Sequence, residues 1–224
     1  MEAHPGLGPG EQVNTGPATA PRIAASVIVV RGGASGLELL LVQRSHEARF
    51  MGGVWVFPGG SVDPGDGATD DPEQLDWALR TAAQREVAEE AGIRLSDPEQ
   101  LVPFSRWITP AHLTTRFDTW FFVAHAPAGA EAKVDGRECV DARWLTAADA
   151  LAEHERGRFP LVFPTIKHLE ALARFSSAQQ LIAFAAEQEI HPIEPRIVTV
   201  RDQAMVLLPG DPGYEQAAYR GANG

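Results

Sequence analysis

Cysteine is nearly absent: Cys139 is the single one in a chain of 224 residues. One thiol excludes an internal disulfide framework and fits a reducing compartment. Long hydrophobic runs are missing too. The longest early one, Ile23 to Val30, is interrupted by Ser26, and it falls far below the roughly 20 apolar residues of a membrane-spanning helix. The first 22 residues lack a basic start followed by an apolar stretch, so they do not read as a signal peptide. Cations are scarce, with 19 Lys+Arg against 30 Asp+Glu and a formal charge of −11. That balance argues against nucleic-acid or anionic-membrane partners, because long-range repulsion opposes both. It also repels a phosphate-bearing small molecule, unless a metal ion or a local Arg cluster reverses the field. The chain reads as soluble, with a cytoplasmic setting expected.

The length suits one compact domain with an ample core. Residues 1–21 hold Pro5, Pro9, Pro17 and Pro21 with several glycines, cannot bury a core, and are expected to form a disordered tail. A single domain is expected over residues 22–214, with a loop insertion at about 63–76, a C-terminal extension, and a second tail at 215–224. β-Branched residues from Ile23 to Val30, then Arg31-Gly32-Gly33, predict a strand and turn, with Leu37–Gln43 as the hairpin partner. A helix is expected from near Pro72–Leu75 to Ala91, with Gly92 as its left-handed cap. Further strands are expected at Phe104–Thr109, Thr115–His125 and Cys139–Leu145, and Thr146 to Asp149 has the form of a capping box. Helices at Thr165–Phe175 and Ala178–Glu189 and strands at Arg196–Val200 and Met205–Leu208 complete the chain. Strands mixed with a few helices, without βαβ alternation, indicate an α+β fold.

The most informative stretch is Arg85-Glu86-Val87-Ala88-Glu89-Glu90-Ala91-Gly92-Ile93. On a helix, Glu86, Glu89 and Glu90 stand at i, i+3 and i+4, so their carboxylates share one face. Like charges repel at that spacing, and the nearby helix end disfavours anions, each by a few tenths of a kcal/mol to about 1 kcal/mol. A divalent cation turns both penalties into attraction, and oxygen ligands suit Mg²⁺ or Mn²⁺. A solvated acidic helix face is the competing reading. Upstream, Phe57-Pro58-Gly59-Gly60 permits close backbone approach, so that a main-chain carbonyl could join the carboxylates.

Gly60 together with Arg85 to Ile93 resembles the Nudix box, G-x5-E-x7-R-E-U-x-E-E-x-G-U, with U an aliphatic residue. The second half matches at every specified position. The first half departs, because Gly60 and Arg85 stand about 11 residues further apart than the pattern allows. Counting forwards puts Asp66 where the first Glu belongs, and counting backwards lands on Trp77. That Glu usually pairs with the box Arg, so Asp66 and Asp76 are the candidate partners of Arg85. The resemblance implies an α/β/α sandwich around a mixed sheet and a small-molecule nucleotide substrate, hydrolysed at its diphosphate. It also implies Glu86, Glu89, Glu90 and the Gly60 carbonyl as metal ligands, with Arg85 in the catalytic machinery. Many relatives use an acidic residue near Glu138 to bind metal or as the base, which leaves Glu89 and Glu138 both open as general base. The resemblance extends to a homodimer, although no sequence feature marks an interface.

A second pattern lies upstream. Leu40-Leu41-Val42-Gln43-Arg44-Ser45, Arg49, Gly53 and Phe57–Gly60 resemble the coenzyme A subgroup signature L-L-T-x-R-S-x3-R-x3-G-x3-F-P-G-G, with Val42 in place of Thr. Guanidinium groups at Arg44 and Arg49 would suit coenzyme A, which carries a 3′-phosphate besides its diphosphate; surface ion pairs are the rival reading. Trp107-Ile-Thr-Pro110, Arg116-Phe-Asp-Thr119, Phe121-Phe122, the long box insertion and Leu208-Pro209-Gly210-Asp211 are similar to an acyl-CoA diphosphatase branch. Alternation along that strand could turn Arg116 and Asp118 towards substrate, or into a salt bridge within the sheet. Hydrolysis of ADP-ribose, NADH or a dinucleoside polyphosphate, or nucleotide binding without cleavage, are the alternatives.

Overall fold

The computed structural model describes residues 8–33, 36–200 and 203–217. Among these residues ten strands form: β1 Arg22–Gly33, β2 Gly36–Arg44, β3 Trp55–Val56, β4 Gly59–Ser61, β5 Val102–Ile108, β6 Phe117–His125, β7 Cys139–Leu145, β8 Pro192–Ile193, β9 Arg196–Val200 and β10 Gln203–Leu207. Four helices accompany them: α1 Pro72–Ala91, α2 Ala147–Glu155, α3 Phe163–Leu172 and α4 Ala178–Ala186. Eight strands share one mixed sheet in the order β3-β2-β1-β6-β5-β8, with β4 also paired to β1 and β7 to β2. The long strand β1 is the hub. It runs parallel to β6 from Arg22↔Phe117 to Val30↔His125 and antiparallel to both β2 and β4. β9 and β10 make a separate hairpin.

Alternate residues of a strand point to opposite faces, and β1 is buried on both. Ile28 and Val30 pack with Leu39 and Leu41 against α2, α3 and α4. Ala25, Val27 and Val29 pack with Leu40, Val42 and Phe122 against Leu79, Ala82, Ala83 and Val87 of α1. The result is the expected mixed sheet between helices. No helix among the described residues is long and apolar enough to cross a membrane.

α1 starts where Asp71 caps it, its carboxylate accepting the Glu73 N–H at 3.0 Å, with Pro72 in the first turn. It ends at Gly92, whose φ of 66° admits a left-handed cap that a Cβ would strain. Thr146 caps α2 through the Asp149 N–H, as the capping box requires. The last two helices stop at Leu172 and Ala186, short of the expected ends.

One expectation needs correction. Residues 8–21, expected within a disordered tail, lie along the domain. The Met51 N–H donates to Pro9 O at 2.8 Å, the Asn14 N–H to His112 O at 2.7 Å, and the Thr114 N–H to Gln12 O at 3.0 Å. This segment builds no core of its own, in line with its composition. Several of its backbone groups pair instead with Met51 and with the 109–116 loop. The rest of that expected tail, and most of the one at 215–224, lies outside the described residues.

Candidate active site

Four elements bring the site together: the C-terminal turns of α1, the short strand β4, the end of β2, and the turn before β7. Their side chains face one end of a cleft of about 730 Å³, lined there by Arg44, Gly59, Gly60, Glu86, Glu90 and Glu138.

Arg85 organises the carboxylates. Its Nε and Nη2 donate to Asp66 at 3.0 and 2.8 Å, Nη2 also to Ser61 O at 3.0 Å, and Nη1 to Glu86 at 2.8 Å and Glu89 at 3.2 Å. The partner left open between two aspartates is therefore Asp66, in the forward-counted box position. Asp76 binds Arg80 instead. Asp66 is 5% exposed. Burial pushes its proton affinity up, but the Arg85 hydrogen bonds and the Asp63 N–H outweigh that and hold its carboxyl below the usual range. With every guanidinium nitrogen engaged, Arg85 is placed to hold carboxylates, not to reach into the cleft.

Glu86 is buried and sits directly over Gly60, where an added Cβ would collide with its carboxylate. Burial raises its pKa; Arg85 opposes this, while the charges of Glu89 and Glu138 add to it. Glu90 is 2% exposed. It accepts the Gly59 N–H at 2.9 Å and faces Arg44 Nη1 at 3.9 Å. Burial is the largest influence and lifts its pKa to about 7, reinforced by the negative charge of Glu86. Glu138 is exposed at the cleft wall. Asp135 fixes its turn by accepting the N–H groups of Arg137, Glu138 and Cys139. Asp135 escaped the sequence reading, although Asp135-Gly136 is a turn signal in its own right. Cys139 lies fully buried behind Glu90, and burial pushes its thiol well above the ordinary range, as suits a strand residue and not a nucleophile.

The expected site residues separate into three groups. Glu86, Glu90, Glu138, Gly60 and Arg44 share the cleft. Arg44 keeps its buried Nε without a hydrogen-bond partner among the described residues. Glu89 and Arg49 are exposed and do not line the cleft. Arg116 is not brought to the site: its guanidinium donates to Thr109 O, Thr19 O and Glu194 at 2.9, 2.6 and 2.7 Å. Its neighbour Asp118 is paired with Arg106 at 2.6 Å. Both side chains are thus held in salt bridges, whose partners Glu194 and Arg106 come from segments that the folded sheet brings near.

Among the described residues, no three His, Cys, Asp or Glu side chains converge into a set that would hold a metal ion as they stand. Each carboxylate is turned to a protein partner: Glu86 and Glu89 to Arg85, Glu90 to the Gly59 N–H. The donor chemistry nonetheless suits a hard divalent cation. Burial raises the pKa of both Glu86 and Glu90, and the charge of Glu86 adds to the shift of Glu90, a cost of ionisation that a cation would relieve.

A profile of the NUDIX domain matches residues 20–163. The acyl-coenzyme A diphosphatase NUDT19 of Xenopus laevis is 23% identical across 81% of this chain and 72% of its own length. The Homo sapiens protein of that name is 25% identical across 81% and 73%. A NUDIX hydrolase from Alicyclobacillus acidocaldarius superposes with a TM-score of 0.67 at 29% identity, covering 74% of this chain and 96% of that one. The box that the sequence interrupts is thus closed in space by Asp66 and Arg85, and with a domain match over more than half its length this chain belongs to the Nudix family, as a Nudix hydrolase.

Proposed function

We propose that the protein hydrolyses the diphosphate of coenzyme A or an acyl-CoA, releasing 3′,5′-ADP and 4′-phosphopantetheine or its acyl form. The observation that carries this reading is the buried pair Glu86 and Glu90 beside Gly59-Gly60, with Arg44 in the same cleft. The named activity of the NUDT19 relatives and the spacing from Arg44 to Gly60 supply the substrate.

Glu86 and Glu90, helped by Glu89 on the rim and the Gly60 carbonyl, would hold Mg²⁺ or Mn²⁺. When bound, such an ion supplies Lewis-acid stabilisation of diphosphate oxygens and a more acidic water. Arg44, which lines the cleft beside Glu90, binds phosphate oxygen. Glu138 takes the proton of the attacking water, since it faces the cleft and Glu89 does not. The water oxygen bonds to phosphorus, the bridging P–O bond breaks, and the leaving phosphate monoester departs with that bond's electron pair. Arg85 acts on the reaction only by positioning Glu86 and Glu89. Arg49, exposed beside Phe50, is the candidate contact for the 3′-phosphate.

The test is product analysis by liquid chromatography and mass spectrometry. Wild type and Glu90→Gln are incubated with Mg²⁺ or Mn²⁺ and CoA, octanoyl-CoA, ADP-ribose, NADH and diadenosine tetraphosphate. We expect 3′,5′-ADP from the wild type, with turnover falling at least about 100-fold in the variant. Preferred cleavage of another nucleotide would discard the CoA assignment. No turnover with any metal would favour nucleotide binding without cleavage.

A further inference from the structure

Away from Glu86, Glu90 and Glu138 the cleft becomes a largely apolar arm, lined by aliphatic and aromatic side chains, with Glu11 near its Met51 wall. Its floor crosses the sheet from β4 over β1 and β6 to β5, about 14 Å by strand spacing. The floor is opened by small side chains, Ala24, Ser26 and Thr119. Its walls come from Pro9, Met51, Leu113, Ile197 and Val206. Pro9, Ile197 and Val206 belong to segments outside the residues 20–163 that match the domain profile. They are additions to the common fold, and they converge on one cavity.

The wall is built at a local cost. Met51 is the one described non-glycine residue with positive φ, at 55°. Such a backbone costs on the order of 1 kcal/mol and persists only where its surroundings enforce it. Here the Pro9 carbonyl holds the Met51 N–H, and Gly8 leaves room for its sulfur, since a Cβ on Gly8 would lie 2.6 Å from Sδ. Arg116 ties the N-terminal segment, the 109–116 loop and the chain entering β9 together through Thr19 O, Thr109 O and Glu194. A flexible thioether among apolar walls suits ligands of varying shape.

The charges sort the two halves of a substrate. Among the described residues, Arg44, at the carboxylate end, is the one cation lining the cleft, and the other charged groups lining it are Glu11, Glu86, Glu90 and Glu138. Among the described residues a second phosphate finds no partner in the arm, whereas Arg49 is exposed outside it. We infer that the arm is the subsite for the uncharged half of the substrate: a pantetheine arm ending in an aliphatic acyl thioester lies in it, and the 3′-phosphorylated nucleoside stays outside. This rests on the CoA reading above and adds the orientation and the residues that select the acyl group.

Two variants test it. Val206→Trp fills the arm from the C-terminal hairpin. Met51→Gly empties it at a position whose backbone favours glycine, so folding is not at risk. Binding of 3′,5′-ADP, 4′-phosphopantetheine and octanoyl-4′-phosphopantetheine is measured by calorimetry, beside CoA turnover by the wild type. Val206→Trp should weaken both pantetheine ligands about tenfold or more, and Met51→Gly the octanoyl ligand by about tenfold. Both should leave 3′,5′-ADP within about twofold. Weakened 3′,5′-ADP with unchanged pantetheine ligands would reverse the orientation and overturn the inference, while leaving the CoA reading intact. Loss of neither also overturns it. A wild type that cleaves other nucleotides but not CoA removes the CoA reading, and this inference with it.

Discussion

Glu90 is a carboxylate with almost no water around it, one backbone N–H, and a second carboxylate as neighbour. Its pKa near 7 lies above the ordinary value of 4.5, so the folded, metal-free protein holds a proton that the unfolded chain has released. The sign of the linkage follows. Stability is unaffected below about pH 4.5, where both states are protonated, and it falls as pH rises towards 7, by up to about 3 kcal/mol. Chelator-treated wild type should therefore melt at lower temperature at pH 8 than at pH 5, and Glu90→Gln should flatten that slope. Added Mg²⁺ or Mn²⁺ should raise the wild-type Tm most at pH 8 and leave the variant nearly unmoved. A slope that survives the substitution would mean that Glu90 is ionised without metal. Asp66 presents the opposite case at the same scale. It is as buried as a core residue, yet two Arg85 nitrogens keep it charged. The chain has thus replaced the family's Glu with a shorter acid, which a loop carries to the Arg.

At the scale of elements, α1 was the most legible. Its start near Pro72, Gly92 end and Glu repeat all act within one helix, where spacing alone decides which side chains are neighbours. Gly92→Ala should cost about 1–2 kcal/mol, because alanine is strained at φ 66° and its Cβ would meet Lys133 O at 2.9 Å. Urea unfolding measures this, and a change under about 0.3 kcal/mol would show that the helix end yields without strain. Contacts that close over distance were not legible. Asp66 could be narrowed to one of two candidates, since the box pattern counts to it. Nothing near Arg116 announces Glu194 or Thr19, and so a cation beside a strand looked like a substrate contact. Likewise, the composition of residues 8–21 shows that the segment has no core, but not that the 109–116 loop accepts its backbone.

For the whole molecule, a formal charge of −11 surrounds a cleft meant for a polyanion. Repulsion over that field is screened as salt shortens the Debye length from roughly 30 Å at 0.01 M to 8 Å at 0.15 M. At saturating divalent metal, kcat/KM for CoA should rise about threefold across that range. A steep fall would show that Arg44 and Arg49 outweigh the global charge during approach. The same acidity gathers cations, so the chain concentrates the metal while opposing the substrate.

The place of β1 at the hub has a consequence for synthesis. It leaves the ribosome well before its partners, since the parallel partner of Arg22 is Phe117, and β7, at residues 139–145, completes the edge beyond β2. Until that much chain has emerged, the hairpin of β1 and β2 presents an unpaired, strongly apolar edge of Ile and Val. Pairings so remote in sequence form slowly, and a nascent strand of this kind invites wrong partners. The nascent chain is therefore most exposed to aggregation before β6 is made, and the demand for chaperone protection should fall sharply once it is.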